Sequence, residues 1–324
     1  MLHLLLAHLS DGKFHSGERL GESLGVSRAA VWKALKRLED DGFPLQRIRG
    51  KGYRIPRGAR LLDVSEICRH LPEALRTRWE WHVFQEIDST NAEAHRCVSQ
   101  GGTSAMVFVS EAQRAGRGRR GREWASPFGQ NIYLTLVEPF SGGAQRLEGL
   151  SLLVGLCLVE ALEVCGYRGC QLKWPNDVLL EGHKLAGILV EIAGDLTSDC
   201  TVIIGVGVNV LMQQSPQSIE QPWTSLLLSG QNAELDRNRL VALFVSRMSA
   251  GLEQFRHEGF APFVSDWIAR DAWHRRQVCV TSGSNVLQGT NLGVNHQGAL
   301  RLMTGDGEVL VNGGEVSLRL DNAS

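Results

Sequence analysis

At 324 residues the chain exceeds a usual single domain, so two or three domains are expected. The formal net charge of -1 conceals an asymmetry: residues 1–60 carry twelve Lys and Arg against six Asp and Glu, leaving 22 against 29 for the rest, a small basic module ahead of a mildly acidic body. The seven cysteines are odd in number and include no C-x-x-C pair, which argues against a disulfide framework or a zinc site. Leu2 to Leu9 is apolar but short, with neither a basic leader nor a small-residue cleavage site. Leu150 to Cys165 falls short of the roughly 18 residues of a membrane span and contains Glu160 and Glu163. A cytoplasmic protein with no membrane partner is therefore expected.

The first sixty residues predict short helices followed by a β-hairpin, with the spacing of a winged helix-turn-helix. Ser16-Gly17-Glu18 opens a helix through Leu24, Gly25 breaks it, and Ser27 caps the next, in which Val31, Leu35 and Leu38 face a core. Arg28, Lys33, Lys36 and Arg37 are left largely outward. Ile48 and Tyr53-Arg54-Ile55 flank Arg49-Gly50-Lys51-Gly52, a glycine turn with a basic tip. A basic helix beside a basic wing suits a DNA groove and its phosphates, which makes Ser27, Arg28, Lys33, Lys36, Arg37, Arg49 and Lys51 the candidate DNA-binding residues. Packing against a protein partner is the competing use of such a module.

Pro56-Arg57-Gly58-Ala59-Arg60 reads as a joint. Beyond it, strands are expected at Met106 to Ser110, Asn131 to Val137, Gln171 to Trp174, Lys184 to Ile192 and Thr201 to Val208, with helices at Leu150 to Cys165 and, capped by Asp236, at Arg237 to His257. A mixed sheet layered with helices follows, an α+β arrangement. From Gln277 short strands and many glycines predict a small terminal β-barrel: Gln277 to Thr281, Asn285 to Gln288, Leu300 to Met303, Glu308 to Val311 and Val316 to Leu320. The expected domains are thus 1–60, 61–272 and 273–324.

The most informative run is Gly116-Arg117-Gly118-Arg119-Arg120-Gly121-Arg122, four guanidinium groups on a segment whose glycines permit tight folding and positive φ. Arg offers a planar fork that grips phosphate or carboxylate bidentately. The run spells G-x-G-x-x-G, but a dinucleotide fingerprint follows a strand and opens a helix, whereas here Glu123-Trp124-Ala125-Ser126-Pro127-Phe128-Gly129 reads as turn. No Gly-Lys-Ser/Thr triplet closes it as a P-loop. Alone it is a solvated basic loop, an anion grip or a nucleic-acid patch.

Taken with Ser89-Thr90-Asn91, Gln113, Lys173-Trp174-Pro175-Asn176-Asp177, Lys184-Leu185-Ala186-Gly187-Ile188 and Gly205-Val206-Gly207-Val208-Asn209, the loop makes the chain resemble a biotin protein ligase over nearly its whole length. With the N-terminal module it resembles the bifunctional bacterial type, both ligase and biotin-operon repressor. The resemblance implies a class II synthetase-like central sheet, a C-terminal SH3-like barrel, and a reaction in which the biotin carboxylate attacks the α-phosphate of ATP. Biotinyl-5′-adenylate then acylates a lysine of the biotin carboxyl carrier protein of acetyl-CoA carboxylase.

In that resemblance Lys184, Arg117 and Arg119 are catalytic. Ser89, Thr90, Asn91, Gln113, Gly116, Arg117, Gly118, Arg119, Lys184, Gly187 and Gly205 bind biotin. Arg119, Arg120, Arg122, Asn176, Lys184, Asn209 and Trp223 bind ATP or adenylate, and Asp177 helps hold Mg²⁺. The adenylate-bound homodimer is implied to bind a palindromic operator. Two other readings share parts of this pattern: a lipoate-type ligase or octanoyl transferase, against which the DNA module and dense arginine loop argue, and a biotin-sensing regulator without catalysis, which needs no phosphate machinery.

Overall fold

Three helices and a hairpin form the N-terminal module of the computed structural model, which describes residues 1–102, 104–195, 197–215, 219–231, 235–282, 285–313 and 316–321. The elements are α1 (Leu2–Leu9), α2 (Gly17–Leu24), α3 (Arg28–Asp40), β1 (Gln46–Ile48) and β2 (Gly52–Arg54). The Ser16 and Ser27 hydroxyls accept from the Arg19 and Ala30 amides, and Gly25 ends α2 at φ 65, so local signals alone delimit these helices. Val31, Leu35 and Leu38 are buried with Leu5, Leu6, Leu9 and Leu20. Gly52 has φ 105, and a Cβ there would fall 2.0 Å from the His15 carbonyl oxygen, so only glycine lets the wing lie against the bridge at His15.

The central region adds α4 (Val64–His70), β3 (Glu80–Phe84), α5 (Thr90–Ser99), β4 (Met106–Ser110), β5 (Ile132–Phe140), α6 (Leu150–Val164), β6 (Cys170–Lys173), β7 (Asp177–Leu180), β8 (His183–Gly194), β9 (Cys200–Val208), α7 (Arg237–Glu258) and α8 (Val264–Ala269). Its seven-stranded sheet has the order β3-β4-β5-β9-β8-β7-β6, parallel only between β3 and β4. All five expected strands and both expected helices are present, with borders shifted by a few residues. Unanticipated are β3, an edge strand with a mixed exposure pattern, and β7, which follows β6 after one tight turn. Helix α5 is also new: Ser89 caps it, accepting from the Ala92 amide.

Strand alternation assigns the two faces. Ile188 and Val206 are register partners in the core with α6, where Gly155 lets Leu172 approach closely. Gly187, Gly205 and Gly207 fall on the opposite face, beneath α5, alongside a small core of Ala94, Met106, Phe108, Val137 and Ile203.

The C-terminal strands β10 (Gln277–Ser282), β11 (Asn285–Val294), β12 (Leu300–Thr304), β13 (Gly307–Val311) and β14 (Val316–Leu320) form a five-stranded antiparallel sheet in the order β13-β12-β11-β10-β14. This is the expected small β-domain, with β11 running well past Gln288; residues 322–324 lie outside the described residues. The Trp174 indole N–H donates to the Gly298 carbonyl at 3.1 Å, fastening this sheet to the turn after β6.

The expected joint is tied down. Arg237, 1 % exposed at the start of α7, pairs with buried Glu111 at 2.7 Å and also donates to the carbonyls of Asn131 and Arg60. Glu111 accepts from the Leu62 amide, while Asn238 accepts from Asp63 and donates to Leu61. A buried ion pair of this kind is costly to break, since the surviving charge stays desolvated and unpaired. Arg237→Met should therefore lower stability by about 3–5 kcal/mol in urea unfolding; a loss below about 1 kcal/mol would mean that the joint is held by other contacts.

Candidate active site

The arginine run lies between β4 and β5 and folds back on itself. Arg117 bridges to Glu123, the Gly118 amide donates to the Arg122 carbonyl at 2.7 Å, and the Trp124 amide donates to Gly116. Arg120 and Gly121 form the tip at φ 60 and φ 70. Of the glycines in the run, positive φ thus falls at Gly121, and a non-glycine shares it. Gly116 is required for another reason: a Cβ there would sit 2.5 Å from the Trp124 carbonyl oxygen. The loop is pinned at its start by Arg114 and Ala115 amides donating to the carbonyls of Ile87 and Asp88.

Beneath the loop the sheet carries almost no side chains. Gly187 and Gly207 are cross-strand partners in unbroken register, so they are not bulges, and the Trp124 ring lies where their Cβ atoms would be, 2.9 and 2.4 Å from them. At Gly205 a Cβ would fall 2.3 Å from Asn91 Oδ1. These three bare positions form the floor of a cavity lined also by Ser89, Thr90, Gln113, Arg117, Gly118, Arg119, Tyr133, Asn176 and Lys184. Its volume is ≈ 60 Å³, well below the roughly 300–1,000 Å³ of a ligand cleft, because Trp124 and the loop occupy the slot.

One wall is polar and oriented. Gln113 Oε1 accepts from the Thr90 amide at 2.9 Å, and Gln113 Nε2 donates to Ser126 at 3.0 Å. Thr90 and Asn91 are both within 2.8 Å of the fully buried Thr135 hydroxyl. The first turn of α5 is fixed from outside by the two-pronged pair of Arg96 with Asp88, both contacts at 2.8 Å. Those hydrogen bonds hold the Asp88 carboxyl down at about 2.

The opposite wall is cationic. Lys184 Nζ lies 2.7 Å from Asp177 Oδ1 and 5.4 Å from the Trp124 ring centroid, and Lys173 approaches Asp177 at 3.4 Å. Burial pushes the Asp177 carboxyl up, but the ammonium groups of Lys184 and Lys173 outweigh it and hold it below the ordinary value. Burial leads in lowering the Lys173 ammonium, Asp177 opposes it, and Lys184 and Arg122 add to it. Arg119 spans the cleft, donating to Asn176 Oδ1 and to the Gly313 carbonyl, each at 2.9 Å. Asn176 in turn donates to Ile188. The turn between β6 and β7 therefore carries Asn176 to Arg119 and Asp177 to Lys184.

The structure brings together Ser89, Thr90, Asn91, Gln113, Arg117, Gly118, Arg119, Asn176, Lys184, Gly187 and Gly205 on one cavity. Gly116 sits in the base of the loop. Arg120 and Arg122 are exposed and outside the lining. Asn209 is buried behind the site, donating to the Thr224 carbonyl, and Trp223 runs beside the Lys184 backbone in a strand-like bridge. For Mg²⁺, both Asp177 oxygens already face ammonium groups, and among the described residues no cluster of three His, Cys, Asp or Glu is poised for a metal. That donor set does not fit a resident ion.

Sequence reasoning missed Trp124, Thr135 and Glu191. Glu191 Oε2 accepts from Asn91 Nδ2 at 2.7 Å and lies 3.6 Å from Arg117. Each is an ordinary strand or turn residue by type, and only the fold places it.

On the N-terminal module Arg28, Lys33, Arg37, Arg49 and Lys51 are exposed, while Ser27 caps α3. Lys36 is drawn toward Asp40 and Glu39, at 2.6 and 3.3 Å. Trp32 is 45 % exposed on the outward side of the same helix.

Family models match three stretches: an HTH domain at residues 2–54, the biotin/lipoate A/B protein ligase family at 83–209, and the biotin protein ligase C-terminal domain at 276–319. The bifunctional ligase/repressor BirA of Escherichia coli (strain K12) is 40 % identical over 97 % of this chain and 96 % of its own. The biotin acetyl-CoA-carboxylase ligase of Mycobacterium tuberculosis is 35 % identical over 72 % of this chain and 87 % of its own. Among solved structures, the biotin protein ligase of Aquifex aeolicus in complex with biotin and ATP aligns with a TM-score of 0.64 at 27 % identity, covering 75 % of this chain and 99 % of that one. The chain therefore belongs to the biotin protein ligase family, in the form that unites a ligase with a DNA-binding repressor.

Proposed function

We propose that the glycine-floored cavity is where this ATP-dependent biotin protein ligase joins biotin to AMP, and that the loop from Arg117 closes over both substrates. The observation that carries the reading is convergence: Lys184, Arg117 and Arg119 meet at one cavity whose other wall is Thr90, Asn91 and Gln113. A carboxylate and a triphosphate repel each other. Fixed cations in a water-poor site offset that repulsion and stabilise charge developing at the α-phosphate.

Lys184 is the central cation, held in place by Asp177, so that its ammonium needs no reorganisation when the anions arrive. Biotin's apolar chain suits the slot now filled by Trp124, and its ureido head suits the polar wall. Arg119, already bridging to Asn176 and the C-terminal sheet, retains the adenylate until a lysine of the biotin carboxyl carrier protein displaces AMP. No side-chain nucleophile is needed. Mg²⁺ enters with the triphosphate as part of the substrate, and Arg120, Arg122, Asn209 and Trp223 serve the nucleotide only if the loop and the 222–226 segment shift toward it.

The repressor activity lies in the N-terminal module, with α3 in the major groove and the wing on phosphates. An adenylate-bound homodimer would set two such modules on a palindromic operator. The division at 60 and 272 and a cytoplasmic location complete the reading; among the described residues no helix is long and apolar enough to cross a membrane.

Biotin-dependent exchange of pyrophosphate into ATP tests the reading directly. Exchange with biotin supports the ligase, exchange with lipoate a lipoate-type enzyme, and neither a mere sensor. Lys184→Gln should cut the exchange rate by about 10²–10³-fold, the size of one lost oxyanion donor, with folding intact by circular dichroism; a loss below tenfold would remove Lys184 from the chemistry.

For the repressor, Arg49→Ala and Lys51→Ala should weaken binding to all DNA sequences alike, each making the log–log salt slope shallower by about one. Sequence-dependent losses would place the wing on bases instead.

Asp177 gives a pH dependence of definite sign. Its lowered folded value contributes stability that is fully present above the unfolded value of about 3.9 and fades as pH falls through the folded one. Urea unfolding of the native chain and Asp177→Asn should therefore differ by a constant amount above about pH 5 and converge below about pH 4. A gap that widens in acid would contradict this.

A further inference from the structure

We propose that Glu191 is a positioning residue of the ligand pocket: its carboxylate sets the direction of a buried hydrogen-bond chain so that Thr90 offers lone pairs to a ligand N–H. The inference rests on reading the cavity as the seat of biotin, and it concerns which wall atoms accept and which donate.

The chain of contacts runs from β8 to the polar wall of the pocket. Glu191 stands on the same face of β8 as Gly187, with its side chain 26 % exposed. Asn91 Nδ2 is 2.7 Å from Glu191 Oε2, Asn91 Oδ1 is 2.6 Å from the Thr135 hydroxyl, and that hydroxyl is 2.8 Å from Thr90 Oγ1. Thr135 is 0 %, Thr90 3 % and Asn91 4 % exposed, so water does not supply alternatives.

Each direction then follows from donor and acceptor inventory. An ionised carboxylate only accepts, so Asn91 must present its NH₂ to Glu191 and its carbonyl oxygen to Thr135. Thr135 has one proton, and that oxygen takes it. The contact between Thr135 and Thr90 can therefore be made only by the Thr90 proton, unless that proton goes to Gln113 Oε1 at 3.2 Å, which also only accepts. Either way Thr90 spends its proton within the protein and faces the cavity as an acceptor. Gly205 keeps the device flat, since a Cβ there would overlap the Asn91 amide.

Without the carboxylate the Asn91 amide is free to turn over. Its NH₂ then faces Thr135, the Thr135 proton is released to Thr90, and a lone pair that the ligand needs is filled. Among the described residues Arg117 and His95, 3.6 and 3.5 Å from Glu191, are the charged or titratable neighbours that share its charge; the loop cation at the cavity mouth thus leans on the residue that orients the polar wall.

The test uses the full chain in biotin-dependent pyrophosphate exchange, with KM measured separately for biotin and for ATP. Glu191→Leu should raise the biotin KM by about 10–100-fold, the range for losing a charge-assisted orienting contact, and leave the ATP KM within about twofold. Glu191→Gln, whose carbonyl still accepts from Asn91, should recover most of the loss. Biotin methylated on a ureido nitrogen, which lacks an N–H for Thr90 to accept, should be a poorer substrate than biotin for the native chain and should be penalised less by Glu191→Leu than biotin is.

A biotin KM unchanged in Glu191→Leu, an equal rise in both KM values, or a Glu191→Gln as damaging as Glu191→Leu each overturns the inference. Should Glu191→Leu not fold, Glu191→Ala, which also removes the acceptor of the Asn91 amide, carries the same expected split and the same overturning outcomes. A native chain with no biotin-dependent exchange would overturn the pocket reading itself, which the Glu191 variants alone cannot do.

Discussion

Three missing side chains set the terms for everything else in this molecule. Gly187, Gly205 and Gly207 share one face of two paired strands in unbroken register, and their bareness lets other groups press onto backbone. A methyl group at any of them would strike Trp124 or Asn91 within 3 Å. Glycine in a strand interior weakens the strand by losing packing and gaining unfolded-state entropy. Here that cost falls in the longest pairings of the sheet, since β9 is bonded along its length to both β5 and β8. The bare stretch thus sits where neighbouring strands can support it, with α6 and the main core packed on the other face.

The second constraint is electrostatic. Lys184, Lys173, Arg117 and Arg119 gather at a half-enclosed cleft, and without anions present such a group repels itself. The protein supplies its own: Asp177 lies between the two lysines and Glu191 beside Arg117. Arg119 donates to the Asn176 side chain and the Gly313 carbonyl. The cations are thereby held at fixed positions before any substrate enters, which is the condition for electrostatic stabilisation without reorganisation.

How much of this was legible in the sequence depends on whether the signal was local. The N-terminal module was readable almost to the residue, because serine caps, Gly25 and the Val31/Leu35/Leu38 spacing act within one or two turns. The central strands were readable from β-branched runs, and the arginine and Lys-Trp-Pro-Asn-Asp motifs from resemblance. What stayed hidden depends on tertiary placement. Thr135 looks like any strand threonine, and Glu191 like any solvent-facing strand acid. Trp124, taken as part of a turn, is the side chain that fills the slot. Conversely Arg120 and Arg122 belong to the motif by spelling but sit outside the cavity lining, since a tight loop can aim only some of its side chains inward.

The stem of the arginine loop is where the parts of the chain meet. Glu111 at its start binds the Arg237 guanidinium and the Leu62 amide, so it fastens both α7 and the joint. At its end Gly129 lies against Phe43, the Gln130 side chain donates to the Asp41 carbonyl, and Asn131 Oδ1 accepts from Val210 just past β9. Phe43 and Asp41 belong to the turn that leaves α3. The loop that covers the cavity and the helix proposed to enter DNA are therefore anchored on one short set of buried contacts, although their working surfaces are separate. A compact stem of this kind, with Gln130 and Asn131 fully buried and the start of the loop bonded through Arg114 and Ala115 to Ile87 and Asp88, ties the part of the chain that covers the cavity to the frame that positions α3 relative to the sheet.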